Sequence, residues 1–421
     1  MNSFFFATIF LFLCLPPLIG RLLRLEKIFP LVFLQLIMGL ALRESGALSW
    51  LQAHDVDLLR GSLGVSIQGL GWLGVVIMIA LAGGEALPSG SGKSTWRFIP
   101  ISMAGFFVTF AVGSLIGYQL ALVFPDAVGP HASRLRFACT VGVTLSVTAL
   151  PVLIAILRDT GLSGTLVGKL AVNCAMLDDV WLWLGIALIL SFGSSGGQGT
   201  AVFPLLAVYV AAMLLVVKPV LNRWFAAPKG GAPATGSAEE APVNVVLAFV
   251  SLVCLSAMLT NLIGLHPLFG AFVGGAVFPR RALHQWAEPL TNFSHTLLLP
   301  FYFIVTGMRL ELNFSDPAFW MLTAIVTSAA VLLKFASVSL AARFSGLTWR
   351  QSGLLGCLMQ CKGLMELIAI NIFFDYGLIG PQIYSALAMM ALVSTMITAP
   401  TMAAVSRWSK PARAPATKLA G

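Results

Sequence analysis

Charge is scarce in this chain: Asp, Glu, Lys and Arg make up 10% of its 421 residues, against ~25% in an ordinary soluble domain. With 58% hydrophobic residues and a mean hydropathy of +0.93, that scarcity excludes a soluble globular fold and leaves a polytopic membrane protein. Alternating segments of about ten residues, the mark of a membrane β-barrel, are missing too. The apolar runs instead reach the ~20 residues of a membrane helix, so the expected fold class is all-α. The six cysteines (14, 139, 174, 254, 357 and 361) lie in apolar runs without zinc-ligand or redox spacing. They imply packing and no disulfide framework. The five histidines (54, 131, 266, 284 and 295) lack helical metal spacing, and no cofactor is called for. SGSGKST, with Lys93, resembles the end of a phosphate-binding loop, but Leu87 stands where that pattern needs glycine, and no strand precedes it. No basic residue precedes FFFATIFLFLCLPPLIG, which argues against a cleavable signal peptide.

Apolar runs near residues 4–20, 28–42, 64–84, 98–123, 137–157, 165–192, 202–222, 243–264, 267–279, 294–309, 318–342, 351–374 and 381–405 predict thirteen spans. Arg21, Arg24 and Lys27 follow the first run, which puts the N-terminus outside. On that topology eighteen of the 25 Lys and Arg residues fall inside. Only Arg43, Arg60, Arg134, Arg136 and Arg309 fall outside, with Lys334 and Lys362 left in the membrane. The formal net charge of +9 thus reports topology and lipid headgroup contact, with no call for a nucleic-acid partner. AAPKGGAPATGSAEEAPVN, Ala226 to Asn244, reads as a flexible cytoplasmic linker. The expected organisation is a first membrane half at 1–225, the linker at 226–242, a second half at 243–405 and a short cytoplasmic tail at 406–421. The halves enter from opposite sides, an inverted-repeat pattern typical of transporters. The tail is too short for a nucleotide-binding regulatory domain.

Against this apolar background AVNCAMLDDVWLWLGIALIL stands out, because Asp178 and Asp179 lie in mid-span. A carboxylate at that depth costs ~2.5–3.5 kcal/mol even on the lenient insertion scale. The pair therefore predicts an intramembrane ion or proton site. Neighbouring helix positions point about 100° apart, so the two acids face different partners. One carries the ion; a cation on another helix neutralises the other. Lys334 in AAVLLKFASVSLAARF and Lys362 in LGCLMQCKGLMELIAI are the candidates. For Lys362, Glu366 four residues on offers a local partner; the alternative is that Lys362 and Gly363 mark a helix break. CTVGVTLSVTALPVLIAILRDTG carries Thr140, Thr144, Ser146 and Thr148 ahead of Pro151, and Pro151 predicts a second interruption. Paired broken helices put loose carbonyls and helix ends at the bilayer midplane, where cations bind.

In order, TLSVTALPVLIAILRDTGL, AMLDDVWLWL, IGLHPLFGAFVGGAVFPR, LPFYFIVTGMRLEL and CKGLMELIAIN resemble the monovalent cation/proton antiporters of the Kef-type and plant cation/H⁺ exchanger branch. The resemblance covers essentially the whole chain. It implies a thirteen-helix fold with a dimerisation domain and a six-helix core, about 98–192 and 318–405, in which two broken helices cross. It also implies a homodimer in the cell (inner) membrane. By similarity, Asp179 matches the carboxylate that alternately takes a proton or a monovalent cation, Na⁺ or K⁺, and Asp178 the acid paired with Lys334. Thr144, Ser146 and Thr148 fall on the first broken helix, and Lys362 stands where many relatives have arginine. Plant relatives often show Asn-Asp at 178–179, which bears on electrogenicity, and the missing regulatory domain argues for an ungated exchanger. A cation-coupled symporter of organic anions on a similar core is the alternative transporter. An intramembrane aspartyl protease would need acids on two helices, with Glu85 or Glu366 supplying the second.

Overall fold

The computed structural model describes residues 2–22, 31–54, 57–59, 61–85, 97–162, 164–192, 199–225, 240–312 and 315–408. SGSGKST, the linker up to residue 239 and the tail from residue 409 lie outside the described residues. The helices in order begin with α1 (Asn2–Leu22), α2 (Leu31–Glu44), α3 (Ala47–Ala53), α4 (Ser62–Glu85), α5 (Phe98–Val123) and α6 (Arg134–Ser146). Next come α7 (Leu150–Asp159), α8 (Leu166–Ser191), α9 (Gly199–Ala212), α10 (Lys218–Trp224), α11 (Glu240–Ile263) and α12 (Pro267–Val277). The last six are α13 (Arg280–Phe293), α14 (Leu299–Arg309), α15 (Pro317–Phe344), α16 (Trp349–Met359), α17 (Leu364–Asp375) and α18 (Pro381–Trp408). Among the described residues extended pairing is confined to an isolated antiparallel bridge, Val128 to Ile379. This all-helical result follows from solvent: in hydrocarbon a helix satisfies its own backbone groups, while an open sheet edge does not.

Eight helices among the described residues are long and apolar enough to cross a bilayer, and α2 with α3 forms a pair bent by 59°. The protein is therefore a multi-pass membrane protein. The other expected spans fall on shorter or interrupted helices. The 267–279 run forms α12, eleven residues and so about 16 Å long. Two runs carry a widened π-helical turn, Met213–Val217 and Ser294–Leu298. Pro219 and Pro300 explain them, since each leaves the carbonyl four residues earlier, inside the turn, without its helical donor. α13, not foreseen as a helix, is amphipathic: Leu283 is buried while Arg281, His284 and Glu288 are exposed. The spacing of Leu283, Trp286, Ala287 and Leu290 is the signal that marks it.

The chain forms two compact units. One comprises Met1–Ser89 and Val180–Leu312. Its core sets Phe12 of α1 and Met38 of α2 against Phe301, Ile304 and Met308 of α14. Glycines let these helices meet backbone to backbone, as membrane packing favours. A Cβ on Gly275 would run into the backbone of Ala80, and one on Gly307 into that of Leu36. A buried hydroxyl relay, Tyr209 to Ser256 at 2.5 Å and Ser256 to the Gly270 carbonyl at 2.6 Å, ties α9, α11 and α12 together.

The second unit comprises Gly90–Asp179 and Asn313–Gly421, so it takes α8 as far as Asp179. Its apolar core joins Phe98 and Ile101 of α5, Leu153 and Leu157 of α7, Leu170 and Cys174 of α8, Val338 of α15, and Leu358 and Cys361 about the end of α16. Polar groups threaded through this core build the site.

Candidate functional site

Two interrupted helices meet in the second unit. α6 ends at Ser146, Val147 is extended, and α7 restarts at Leu150. Pro151 lies in the first turn of α7, where its missing N–H is harmless, but it cannot donate to the Val147 carbonyl four residues earlier. The second break runs from Gln360 to Gly363, between α16 and α17. At Gly363 a Cβ would lie 2.7 Å from Val152 Cγ2 and 3.4 Å from Ala149 Cβ, so side-chain-free backbone is what lets the breaks touch. They are stitched together there. Ala149 N donates to the Cys361 carbonyl at 3.0 Å, Thr148 Oγ1 to the Met359 carbonyl at 2.6 Å, and Cys361 Sγ to the Ala149 carbonyl at 3.8 Å.

A helix that stops inside a protein leaves its last carbonyls without donors and carries partial negative charge at that end. Here two lysines supply both needs. Lys362 Nζ donates to the carbonyls of Thr144, Leu145 and Val147 at 3.0, 3.1 and 3.1 Å. Lys334 Nζ, from the middle of α15, donates to the one between them, Ser146 O, at 2.5 Å. Four consecutive carbonyls are thus closed by ammonium groups from two other segments.

Each lysine has its own acid. Lys334 Nζ lies 2.6 Å from Asp178 Oδ2, both side chains fully buried, and Ser102 Oγ of α5 donates to the other carboxylate oxygen at 2.9 Å. Lys362 lies 3.3 Å from Glu366 Oε1, also fully buried. Glu366 sits in the first turn of α17, the end of a helix where negative charge is favoured. The local pair and the helix break that the sequence offered as alternatives at Lys362 are both present. Asp179, next to Asp178, is 1% exposed. The hydroxyls of Thr144 and Ser146 donate to carbonyls one turn back, Thr140 and Gly142, at 2.9 and 2.7 Å. Their lone pairs are left to accept.

The structure therefore gathers Asp178, Ser146, Thr144, Thr148, Lys334, Lys362 and Gly363 about one crossing, with Asp179 adjacent in sequence to its ion-paired acid. The fold adds Ser102 and Thr395 to this group. Thr395 Oγ1 of α18 donates to the Lys362 carbonyl, and a lone hydroxyl in an apolar helix gives no sequence signal for such a contact. Among the described residues no group of three or more metal-type ligands occurs.

Two ammonium groups and two carboxylates closing a helix break inside a membrane protein suit exchange of small cations better than covalent chemistry. A protein-family model described as "Sodium/hydrogen exchanger, transmembrane" matches residues 7–408. The chain belongs to that family. Cation/H(+) antiporter 17 of Arabidopsis thaliana is 31% identical over 346 residues, 80% of this chain, but this chain spans only 41% of that relative's length. Na(+)/H(+) antiporter NhaS4 of Synechocystis is 30% identical over 339 residues, 78% of this chain and 79% of the relative. Among solved structures, the sodium proton antiporter MjNhaP1 of Methanocaldococcus jannaschii matches with a TM-score of 0.62 and 15% identity, covering 96% of this chain and 97% of that one. At that identity the likeness shows a shared fold.

Proposed function

We propose that this chain is a secondary active transporter that exchanges a monovalent cation, Na⁺ or K⁺, for protons by alternating access. Proton and cation compete at Asp179, with Asp178, Thr144, Ser146 and Thr148 contributing to the site and Lys334 and Lys362 compensating charge. The observation that carries this reading is the fully buried pair of Asp178 and Lys334 at 2.6 Å. It gives Asp178 a cation of its own, so the two neighbouring acids have different work. A buried pair rarely adds net stability over apolar packing, so a functional reason for keeping it is the better account. Occupied states move and empty charged ones do not, which couples uphill movement of one ion to downhill movement of the other.

On this reading the fold has thirteen spans in two inverted halves, 1–225 and 243–405, joined by a cytoplasmic linker. The core helices are about 98–192 and 318–405, and a dimerisation domain makes a homodimer. The N-terminus is outside, the C-terminus cytoplasmic, the membrane that of the cell, and the physiological task pH homeostasis. Organic-anion symport is not favoured, because the named relatives are antiporters. The protease reading gains nothing from Glu366, whose carboxylate faces Lys362.

The test uses purified protein in liposomes carrying a pH-sensitive dye, with Na⁺, K⁺ or Li⁺ added under an imposed proton gradient. Cation-dependent dissipation that disappears in Asp179→Asn is expected. The same response in wild type and variant would remove Asp179 from the mechanism, and no response in wild type would remove exchange itself.

A further inference from the structure

Glu366 is a buried acid outside the set of residues that the proposed exchange names. It is fully buried and 3.3 Å from Lys362 Nζ, yet neither of its oxygens accepts a hydrogen bond among the described residues. The cause is arithmetic: an ammonium has three protons, and those of Lys362 go to Thr144, Leu145 and Val147. The carboxylate is left with charge attraction and a long, poorly aligned contact to that ammonium. A buried carboxylate so poorly bonded is costly, and that cost is offset by the buried Lys362 charge that it compensates. What Glu366 supplies is a unit of negative charge.

The charges about this crossing are few. Lys362 feels Glu366 on its own segment, Lys334 from α15 and Asp178 from α8. The ends of α6 and α7 bring carbonyls, and α18 brings Thr395 against the Lys362 carbonyl. With all four ionised, Lys334, Asp178, Lys362 and Glu366 sum to zero about a crossing that Asp178, the sequence neighbour of Asp179, also joins. Removing Glu366 would leave that set at +1.

We infer that Glu366 is a positioning residue for ion exchange: it holds the Lys362 ammonium in its cradle of carbonyls and cancels its charge, and so sets the cation affinity of the site at Asp179. This rests on the exchange reading above. It makes Lys362 a fixed structural cation, lodged where the loose carbonyls of a broken helix would otherwise be open to a transported ion.

A charge cycle in liposomes tests it, reading KM and kcat for the cation separately. Glu366→Gln adds positive charge and is expected to raise KM roughly tenfold. Lys362→Met adds negative charge and is expected to lower KM. The double variant, with charge restored, returns KM toward the wild-type value even if kcat stays low because the carbonyls have lost their donors. Glu366→Asp, which keeps the charge, stays within about twofold of wild type and serves if Glu366→Gln is not recovered folded. Shifts of both single variants in the same direction, or a tenfold KM rise in Glu366→Asp, would overturn the inference in favour of a shape requirement. Wild-type exchange with an unchanged KM in Glu366→Gln would overturn it alone; no exchange in wild type would overturn the parent reading as well.

Discussion

Lys334 and Lys362 do the same structural job on adjacent carbonyls of one helix end, yet their counter-ions come from different places. Lys334 is paired with an acid more than 150 positions away in sequence, which Ser102 from a third helix also holds. Lys362 is paired within its own segment, four residues along. A pair that joins helices is sensitive to any movement of one helix against another. A pair built into one helix travels with it. The interhelical pair is thus the one that a helix movement would strain, and the local pair the one that holds the crossing together.

The sharpest way to break that distinction is to strand a charge on the interhelical side. Lys334→Met leaves Asp178 buried with Ser102 as its remaining hydrogen-bond partner, and a loss of about 3–5 kcal/mol is expected. Thermal unfolding in detergent measures it. Asp178→Asn combined with Lys334→Met should recover much of that loss, because no uncompensated charge remains. A double variant as unstable as the two losses added would mean that the residues do not act as a pair.

Ser102→Ala should act on the Lys334 side alone. A hydrogen bond to a charged group contributes about 1.5–3 kcal/mol, so a loss in that range is expected. Its effect should disappear in the background of Asp178→Asn and Lys334→Met, while in Lys362→Met it should persist in full. Thr148→Val removes a single neutral bond, Thr148 Oγ1 to the Met359 carbonyl. About 1 kcal/mol is expected, and because that bond joins the two breaks, hydrogen exchange should rise at Ala149 and Cys361 together.

The smallest expected effect at neutral pH provides a reference outside both pairs. His266, in the connection ahead of α12, caps that helix by accepting from Leu268 N through Nδ1 at 3.2 Å. Burial lowers its pKa from 6.5 to about 4. Between those values the unfolded chain binds the proton and the folded one does not, so stability is full above pH 6.5 and falls as pH drops toward 4. His266→Asn keeps a capping side chain and should flatten that slope. If the slope survives in the variant, the titrating group lies elsewhere.

The fold was legible where composition alone imposes it. Runs of about twenty apolar residues became long helices, and α5, α8 and α15 fall close to their expected limits. Less legible were α13, whose amphipathic pattern has no long apolar run, and the π-helical turns, whose proline signal acts four residues upstream. At the site, Pro151 pointed to a helix break, and the fold places that break at Val147, the carbonyl this proline leaves without a helical donor. Glu366 was visible as a neighbour of Lys362, but its lack of hydrogen bonds depends on where three lysine protons go. Ser102 was invisible, because it meets Asp178 across 76 positions of sequence.

By itself the sequence determined that this is a helical membrane protein with acids and lysines in its spans, since hydrocarbon tolerates few backbone arrangements and makes each buried charge conspicuous. Tertiary structure decided which lysine meets which acid, and that the two lysines between them close four consecutive carbonyls. Such pairing depends on the crossing of segments far apart in the chain, where tenths of an ångström decide which oxygen receives each proton.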